Sequence, residues 1–371
     1  MRKESISLVS VVVPAYNAEK TVGETLESAL AQTYENIEVI VVDDGSTDDT
    51  GGIVKEVAST DKRVRIIEQA NAGVAAARNT AILQSSGDFI APLDADDLWH
   101  PSSIEKRMNV LVGGGSNMSA VYAGSRVIDE DSYVIGSLQI FTYEGYIFGP
   151  LLCQNIVGNG SNLLMRKNAI LAVGGYDSGL RAAGAEGCED ELLQLRLASQ
   201  YAFGCVPEYL TGYRQRPGAM SSDAVRMFDS EQRVFKQVEA IAPTVLKPLA
   251  RRGAAESLFF MGHYMLRRGQ VLSAFGVIAQ AHARHLGCGL ACGTQVISGK
   301  IRSWRRKKLN NTAGYRTLRR FSEYDPKEQD VQPAGYLASR RFAWLAAREQ
   351  QAGCSIVPEQ SAGTVGLYPR G

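Results

Sequence analysis

The first hundred residues alternate between two hydrophobic periods. Leu8–Val13 is a short β-branched run that reads as a buried strand, and Pro14 ends it, with Ala15-Tyr16-Asn17 as the following loop. Lys20–Ala31 then places Val22, Leu26, Ala29 and Leu30 on one helical face. Ile37–Val42 is a second buried strand, ending at Asp43-Asp44-Gly45. Ser46 with Asp49 three residues on carries a helix N-cap signal, and the spacing predicts a helix to about Ala58. Val64–Ile67 reads as a strand, Gly73–Gln84 as a helix and Asp88–Leu93 as a fourth strand, which ends at Asp94-Ala95-Asp96-Asp97. Strands that alternate with helices in this way predict an α/β fold with a doubly wound, mostly parallel sheet. Such sheets bind ligands outside the carboxyl ends of their strands. The topology therefore gathers Tyr16/Asn17, Asp43/Asp44 and Asp94/Asp96/Asp97 on one edge.

From about 110 to 220 the pattern is less regular. Gly158–Met165 reads as a loop entering a strand, Glu189–Ser199 as a helix, and Gly204–Tyr213 as strand and turn. Residues 229–292 are mostly helical, and beyond about 321 the chain turns polar. The expected organisation is an α/β domain over 1–225, a helical extension over 226–320 and a polar tail over 321–371, with Ala352–Gly371 loosely ordered.

Composition narrows the function classes. A formal net charge of +1 excludes a chain that binds nucleic acid by its overall charge. The charge is uneven, because 296–320 holds Lys300, Arg302, Arg305–Lys308, Arg316, Arg319 and Arg320 and no acid. That segment, with Trp304 and Tyr315, is either a solvated face or a contact for anionic lipid headgroups. The cysteines are scattered, as expected of free thiols in a reducing compartment. The apolar run ending at Pro14 is too short for a signal peptide or a membrane span. The expectation is a cytoplasmic protein with peripheral contact at the inner face of a membrane. His282, His285, Cys288 and Cys292 have metal-ligand side chains, but one straight helix would spread them over roughly 15 Å, too far for one zinc ion.

The acidic strand ends carry the candidate chemistry. Asp94 and Asp96 are two residues apart, so in extended backbone both lean to one side. Neighbouring carboxylates repel unless a cation sits between them. Mg²⁺ suits such a pair, since it takes one or two protein carboxylates and completes its shell with water and phosphate oxygens. The plain alternative is that these acids cap the next helix. Asp43-Asp44-Gly45-Ser46 has three readings: a turn with a cap, a phospho-acceptor, or an acceptor for hydrogen bonds from a nucleobase or ribose. Arg78, on the helix after Gly73, either pairs with phosphate or lies along the helix surface.

Val9–Trp99 resembles the family-2 glycosyltransferases of the GT-A fold. The matching pieces are Val11–Asn17, Val42–Asp48, Gly73–Asn79, and Gly87–Ile90 leading into Leu93–Asp97, in the order and spacing of the family. The resemblance extends through Gly160-Ser161-Asn162, Gly174–Asp177, Glu189-Asp190-Glu191-Leu192 and Tyr213–Ser221, and so covers about 9–221. It implies that Pro14, Tyr16 and Asp44 line a nucleoside pocket, that Arg78 lies near the base or phosphates, and that Asp94 and Asp96 bind nucleotide-sugar and metal, Mg²⁺ or Mn²⁺. Asp190 would be the catalytic base. The chain departs from the family's habit at Arg216, where His is frequent, and this leaves acceptor identity open.

The activity implied is a metal-dependent, inverting glycosyltransferase of hexosyltransferase type. It would move a sugar from a nucleotide-diphosphate sugar, UDP by family habit, to a hydroxyl of a saccharide or lipid-linked acceptor in bacterial polysaccharide assembly. The metal offsets charge on the leaving diphosphate and Asp190 takes the acceptor proton. A helix start lowers the pKa of Asp190, whereas desolvation and neighbouring acids raise it, and sequence does not give the net sign. Rival classes are a catalytically silent nucleotide-sugar scaffold and another α/β enzyme handling nucleotides. The first strand is followed by no Gly-x-Gly-x-x-Gly, which argues against a dehydrogenase.

Overall fold

The computed structural model describes residues 7–216, 223–244, 246–267, 269–285 and 319–328. They belong to one compact unit, Met1–Ala334. Its first half alternates β1 (Val9–Ala15), α1 (Val22–Leu30), β2 (Ile37–Asp43), α2 (Thr50–Thr60), β3 (Val64–Glu68), α3 (Val74–Gln84) and β4 (Phe89–Pro92). The middle adds β5 (Leu98–Trp99), α4 (Ser103–Gly113), β6 (Met118–Ile128), β7 (Val134–Ser137), α5 (Phe148–Cys153), β8 (Leu163–Arg166), α6 (Lys167–Ala172), α7 (Gly179–Ala182), α8 (Glu189–Ala198) and β9 (Ala202–Arg214). Three helices follow: α9 (Ala224–Ile241), α10 (Lys247–Arg267) and α11 (Val271–Arg284).

One sheet runs in the order β3-β2-β1-β4-β8-β6-β9-β5, with β7 paired to β6. Strands β3, β2, β1 and β4 are mutually parallel, as are β6 and β9. Strands β8, β7 and β5 join antiparallel. The parallel half is apolar on both faces, which is why its strands read as unbroken hydrophobic runs. Val9, Val11 and Val13 pack with Val39, Val41, Leu26, Ala29 and Val54 in one core. Val12, Ile40 and Val42 alternate to the opposite face and are equally buried, and α3 packs against β1 and β2. Full burial of a side chain such as Leu26 is worth about 1.5–3 kcal/mol.

The capping signal at Ser46 and Asp49 works differently from the expectation. The helix begins at Thr50, and Asp49 makes no side-chain cap. Asp48 takes that role, accepting from the Thr50 N–H at 3.1 Å. Ser46 instead accepts from the Asn17 N–H at 3.0 Å, tying the loop after β1 to the loop after β2.

Residues 319–328 straddle the boundary drawn between the basic segment and the polar tail, and they pack on the sheet. Val134 N–H donates to the Arg319 carbonyl at 3.0 Å and Tyr209 N–H to the Pro326 carbonyl at 2.8 Å. Phe321 fills a small core with Leu98, Ile128 and Val134. Apart from Arg319 and Arg320, the basic segment lies outside the described residues, as do Cys288 and Cys292. His282 bonds back to the Ile278 carbonyl of its own helix. No helix among the described residues is long and apolar enough to cross a membrane.

Candidate active site

The parallel strands deliver their loops to one edge, where a cavity of about 690 Å³ opens. Pro14, Tyr16, Asp44, Arg78, Asp94, Asp96 and Asp190 all line it. These residues therefore come together in one place, although β5, β6, β7 and β8 lie between Asp94 and Asp190 in the chain.

The wall built by β1, β2 and the start of α3 is held by backbone amides. Asp44 accepts from Ala72 N–H at 2.9 Å, Gly73 N–H at 2.7 Å and Gln69 Nε2 at 2.7 Å. Asp43 makes the turn, accepting from Ser46 N–H at 2.9 Å. The two acids thus divide the readings offered for the pair: Asp43 shapes the loop and Asp44 faces the cavity. Gly73 has φ +93° where α3 begins, and a Cβ there would strike Glu186 and Arg181. Tyr16 stands out from this wall with half its surface exposed.

Arg78 is neither a surface residue nor a free phosphate ligand. It is buried, with Nη2 2.5 Å from Asp94 Oδ1 and Nη1 3.1 Å from Glu189 Oε1, and its guanidinium lies 5.1 Å from the centre of the Tyr176 ring. Burial opposes its charge, but Asp94, Tyr176, Glu189 and Asp190 together outweigh that and hold its pKa well above the usual arginine value. The side chain joins the end of β4 to the start of α8. Gly160 leaves room for it, since a Cβ there would lie 3.0 Å from Arg78 Nη2.

The acids after β4 are not a helix cap. The next helix, α4, starts at Ser103. Asp97 is fully buried and accepts from Ser161 Oγ at 2.6 Å, Asn159 Nδ2 at 3.1 Å and the Arg214 N–H at 2.9 Å. It fixes the loop from beneath. Asp94 and Asp96 remain partly exposed to the cavity, and Asp96 Oδ2 lies 3.2 Å from Arg216 Nε. Burial and the adjacent Asp94 push Asp96 up, against the pull of Arg216 and Arg214. A divalent cation would relieve that repulsion. The described residues contain no group of three or more metal-ligating side chains. Two carboxylates at a cavity suit Mg²⁺ or Mn²⁺, whose other positions phosphate and water oxygens fill. The donor set fits such an ion.

Glu189-Asp190-Glu191 opens α8 and also lines the cavity, next to Arg78. Glu189 is committed to Arg78 and to the Gly187 N–H, at 3.0 Å. Asp190 Oδ1 accepts from Glu191 N–H at 2.8 Å, and among the described residues Oδ2 accepts no hydrogen bond. Burial first, then Glu189 and Asp94, push Asp190 up to about 7, against the pull of Arg78. The helix start does not win: loss of water and crowding by like charges outweigh it. Burial, Glu231 and Asp190 push Glu191 up to about 8.

Several cavity residues escaped the sequence reading. Glu186 accepts from the Val74 N–H at 3.2 Å, and Arg181 lies 3.8 Å from Asp44 Oδ2. Gly184 and Gly187, both at positive φ, fold this loop back over the start of α3. That glycine spacing was the available signal. Arg226 and Met227 reach the cavity from the helical extension, which no local pattern foretold.

Comparison with known proteins agrees with this geometry. Residues 10–173 match the model of Glycosyl transferase family 2. A glycosyltransferase GlyA of Streptococcus pneumoniae is 48% identical over 104 residues, covering 28% of this chain and 15% of that protein. The UDP-Glc:alpha-D-GlcNAc-diphosphoundecaprenol beta-1,3-glucosyltransferase WfgD of Escherichia coli is 40% identical over 128 residues, covering 34% of this chain and 49% of that protein. The chain thus spans half or less of these relatives' lengths. Staphylococcus aureus TarS 1-349 in complex with UDP-GlcNAc superposes with TM-score 0.55 at 19% identity, covering 74% of this chain and 81% of that one. The mannosyltransferase PcManGT of Pyrobaculum calidifontis, in complex with GDP-Man and Mn²⁺, gives TM-score 0.52 at 19% identity, with 80% of each chain covered.

Proposed function

Starting from a chain that belongs, through residues 10–173, to the family-2 glycosyltransferases of GT-A fold, we propose that it transfers a sugar, with inversion, from a UDP-sugar to an acceptor hydroxyl. The observation that carries this reading is that one cavity holds both the Asp94/Asp96 pair and an Asp190 pushed up to about 7. A carboxylate titrating there is basic enough to take a proton and ionised enough at neutral pH to be ready for one.

Tyr16 and Asp44 would hold the nucleoside at the β1–β2 end. Mg²⁺ or Mn²⁺, held by Asp94 and Asp96, would offset charge on the diphosphate. Arg216 and Arg181, both half-exposed at the cavity, add positive charge for the same group. Asp190 Oδ2 takes the proton of the acceptor hydroxyl as its oxygen bonds to the anomeric carbon. The bond from that carbon to the diphosphate breaks on the opposite face, so a single displacement inverts the centre. Arg78 is a positioning residue, keeping Asp94 and Glu189 at fixed places on the two walls. The acceptor is a saccharide or a lipid-linked saccharide, the class named for the WfgD relative. The 1–225, 226–320 and 321–371 organisation stays part of this proposal, with the extension lending Arg226 and Met227 to the site.

Calorimetric titration of UDP, GDP and dTDP, with Mn²⁺ or Mg²⁺ and with EDTA, tests the donor assignment. Metal-dependent binding of UDP, lost in Asp96→Ala, is the expected result. A folded sample that binds none of the nucleotides would leave a silent scaffold as the better reading.

A further inference from the structure

A second, smaller cavity of about 270 Å³ lies in the helical extension. Met227, Phe228, Phe260, Met261 and Tyr264 line it, with Glu231 and Ser257 as its polar members. Met227 also lines the large cavity, so the two spaces meet at one side chain. They meet on the Asp190 side. Cys188, two residues before Asp190, donates its N–H to Ser230 Oγ at 3.0 Å and directs its Sγ toward the Met227 carbonyl at 3.8 Å. A ligand that reaches from the large cavity into the groove therefore passes Cys188, two residues from Asp190.

The lining selects an apolar ligand. Two methionines and three aromatic side chains are adaptable apolar surface, and Phe260 leaves 41% of its surface in water. The acid in the lining does not offset this. Ser257 Oγ donates to the Glu231 carboxyl group, and burial pushes Glu231 up, toward its neutral form.

We infer that this groove between α9 and α10 is an acceptor subsite that takes the apolar chain of an amphiphilic acceptor whose saccharide end lies at Asp190. The inference rests on the acceptor side of the function proposed above and narrows the acceptor class to saccharides carrying an aliphatic group. Each methylene buried in such a groove strengthens binding about fourfold. A few seated carbons therefore dominate the affinity for the acceptor.

The test is calorimetric titration of n-octyl β-glucoside, below its micelle concentration, and of methyl β-glucoside into the full chain with Mn²⁺ and UDP. The octyl compound is expected to bind at least tenfold more tightly than the methyl one. Phe260→Ser should abolish that difference, Phe260→Leu should keep most of it, and UDP binding should be unchanged in both. Phe260 is exposed enough for these variants to fold, and thermal melts would verify it. Equal binding of the two glucosides, or an octyl preference that survives Phe260→Ser, overturns the inference. So does a change in sedimentation on Phe260→Ser without any effect on octyl binding, which would mean that a second copy of the chain covers the groove. Failure of the donor reading registers separately, as absence of UDP binding by the wild-type protein.

Discussion

Two parts of the large cavity's lining surround the same side chain with different partners. On the wall built from β1, β2 and β4, carboxylates are matched to donors and cations: Asp44 to two backbone N–H groups and Gln69, Asp94 to Arg78, Asp96 to Arg216. At the start of α8, Asp190 accepts from one backbone N–H, and burial and Glu189 push it up to about 7 against the pull of Arg78. The proposed split between carboxylates that bind charge and one that moves a proton rests on environment, not on residue type.

The sharpest way to break this contrast is Asp190→Asn. Loss of a general base should lower turnover by about 1,000-fold, while UDP binding at the other wall stays as in wild type. Stability should move the other way. The folded pKa of Asp190 lies above its unfolded value, so the native state holds the proton longer. Its contribution falls as pH rises through the interval between the two values, and the full cost is present above about pH 7. Asn carries no such cost. At pH 8 the variant should gain about 2 kcal/mol in urea unfolding, the shift being discounted for the exposed part of the side chain. An Asp190→Asn protein that keeps its turnover would remove the assignment of the base.

Asp96→Ala attacks the other wall. It should cost about 100-fold in turnover and abolish the metal dependence of UDP binding, since the remaining carboxylate is already paired with Arg78. The pH profile sharpens the comparison with a smaller effect. Asp190 must be ionised to accept a proton, so kcat should fall below about pH 7, approaching tenfold per pH unit further down. Activity that is flat between pH 5.5 and pH 8 would mean that the base titrates elsewhere.

The walls also differ in how much of them was legible. Strand runs such as Val11–Val13 and Ile37–Val42, alternating with helices, mark the parallel half, and a parallel sheet brings Tyr16, Asp44, Asp94 and Asp96 to one edge. Asp190 was legible only through its resemblance to a family motif. Acids are common in the first turn of a helix, and nothing local distinguishes Asp190 from Glu191. What distinguishes them is tertiary: Arg78 comes from α3 to claim Glu189, and Glu231 comes from α9 to face Glu191. From sequence alone, Arg78 is either a phosphate ligand or a surface residue. Its actual partners are 16 and 111 positions away in the chain, beyond any periodicity. The segment 319–328 escaped for the same reason, because Phe321 is an isolated apolar residue in a polar stretch until Leu98, Ile128 and Val134 surround it.

Tyr16 is the exception on the donor wall and gives the smallest expected effect. Its neighbours there are pinned: Asn17 exchanges hydrogen bonds with the loop after β2, and Asp44 is fixed by α3. The Tyr16 ring has half its surface in water at the cavity edge, so its loss leaves the fold undisturbed. In the proposed nucleoside site such a ring would contribute by stacking on the base, worth about 1 kcal/mol. Tyr16→Ala should therefore weaken UDP about fivefold by calorimetry, Tyr16→Phe should retain nearly all of the affinity, and kcat at saturating donor should be unchanged. A ring stacked on the base alone, as proposed, would give the same loss with UDP and with the UDP-sugar. A loss confined to the sugar nucleotide would put Tyr16 beside the sugar and move the nucleoside to another part of the wall.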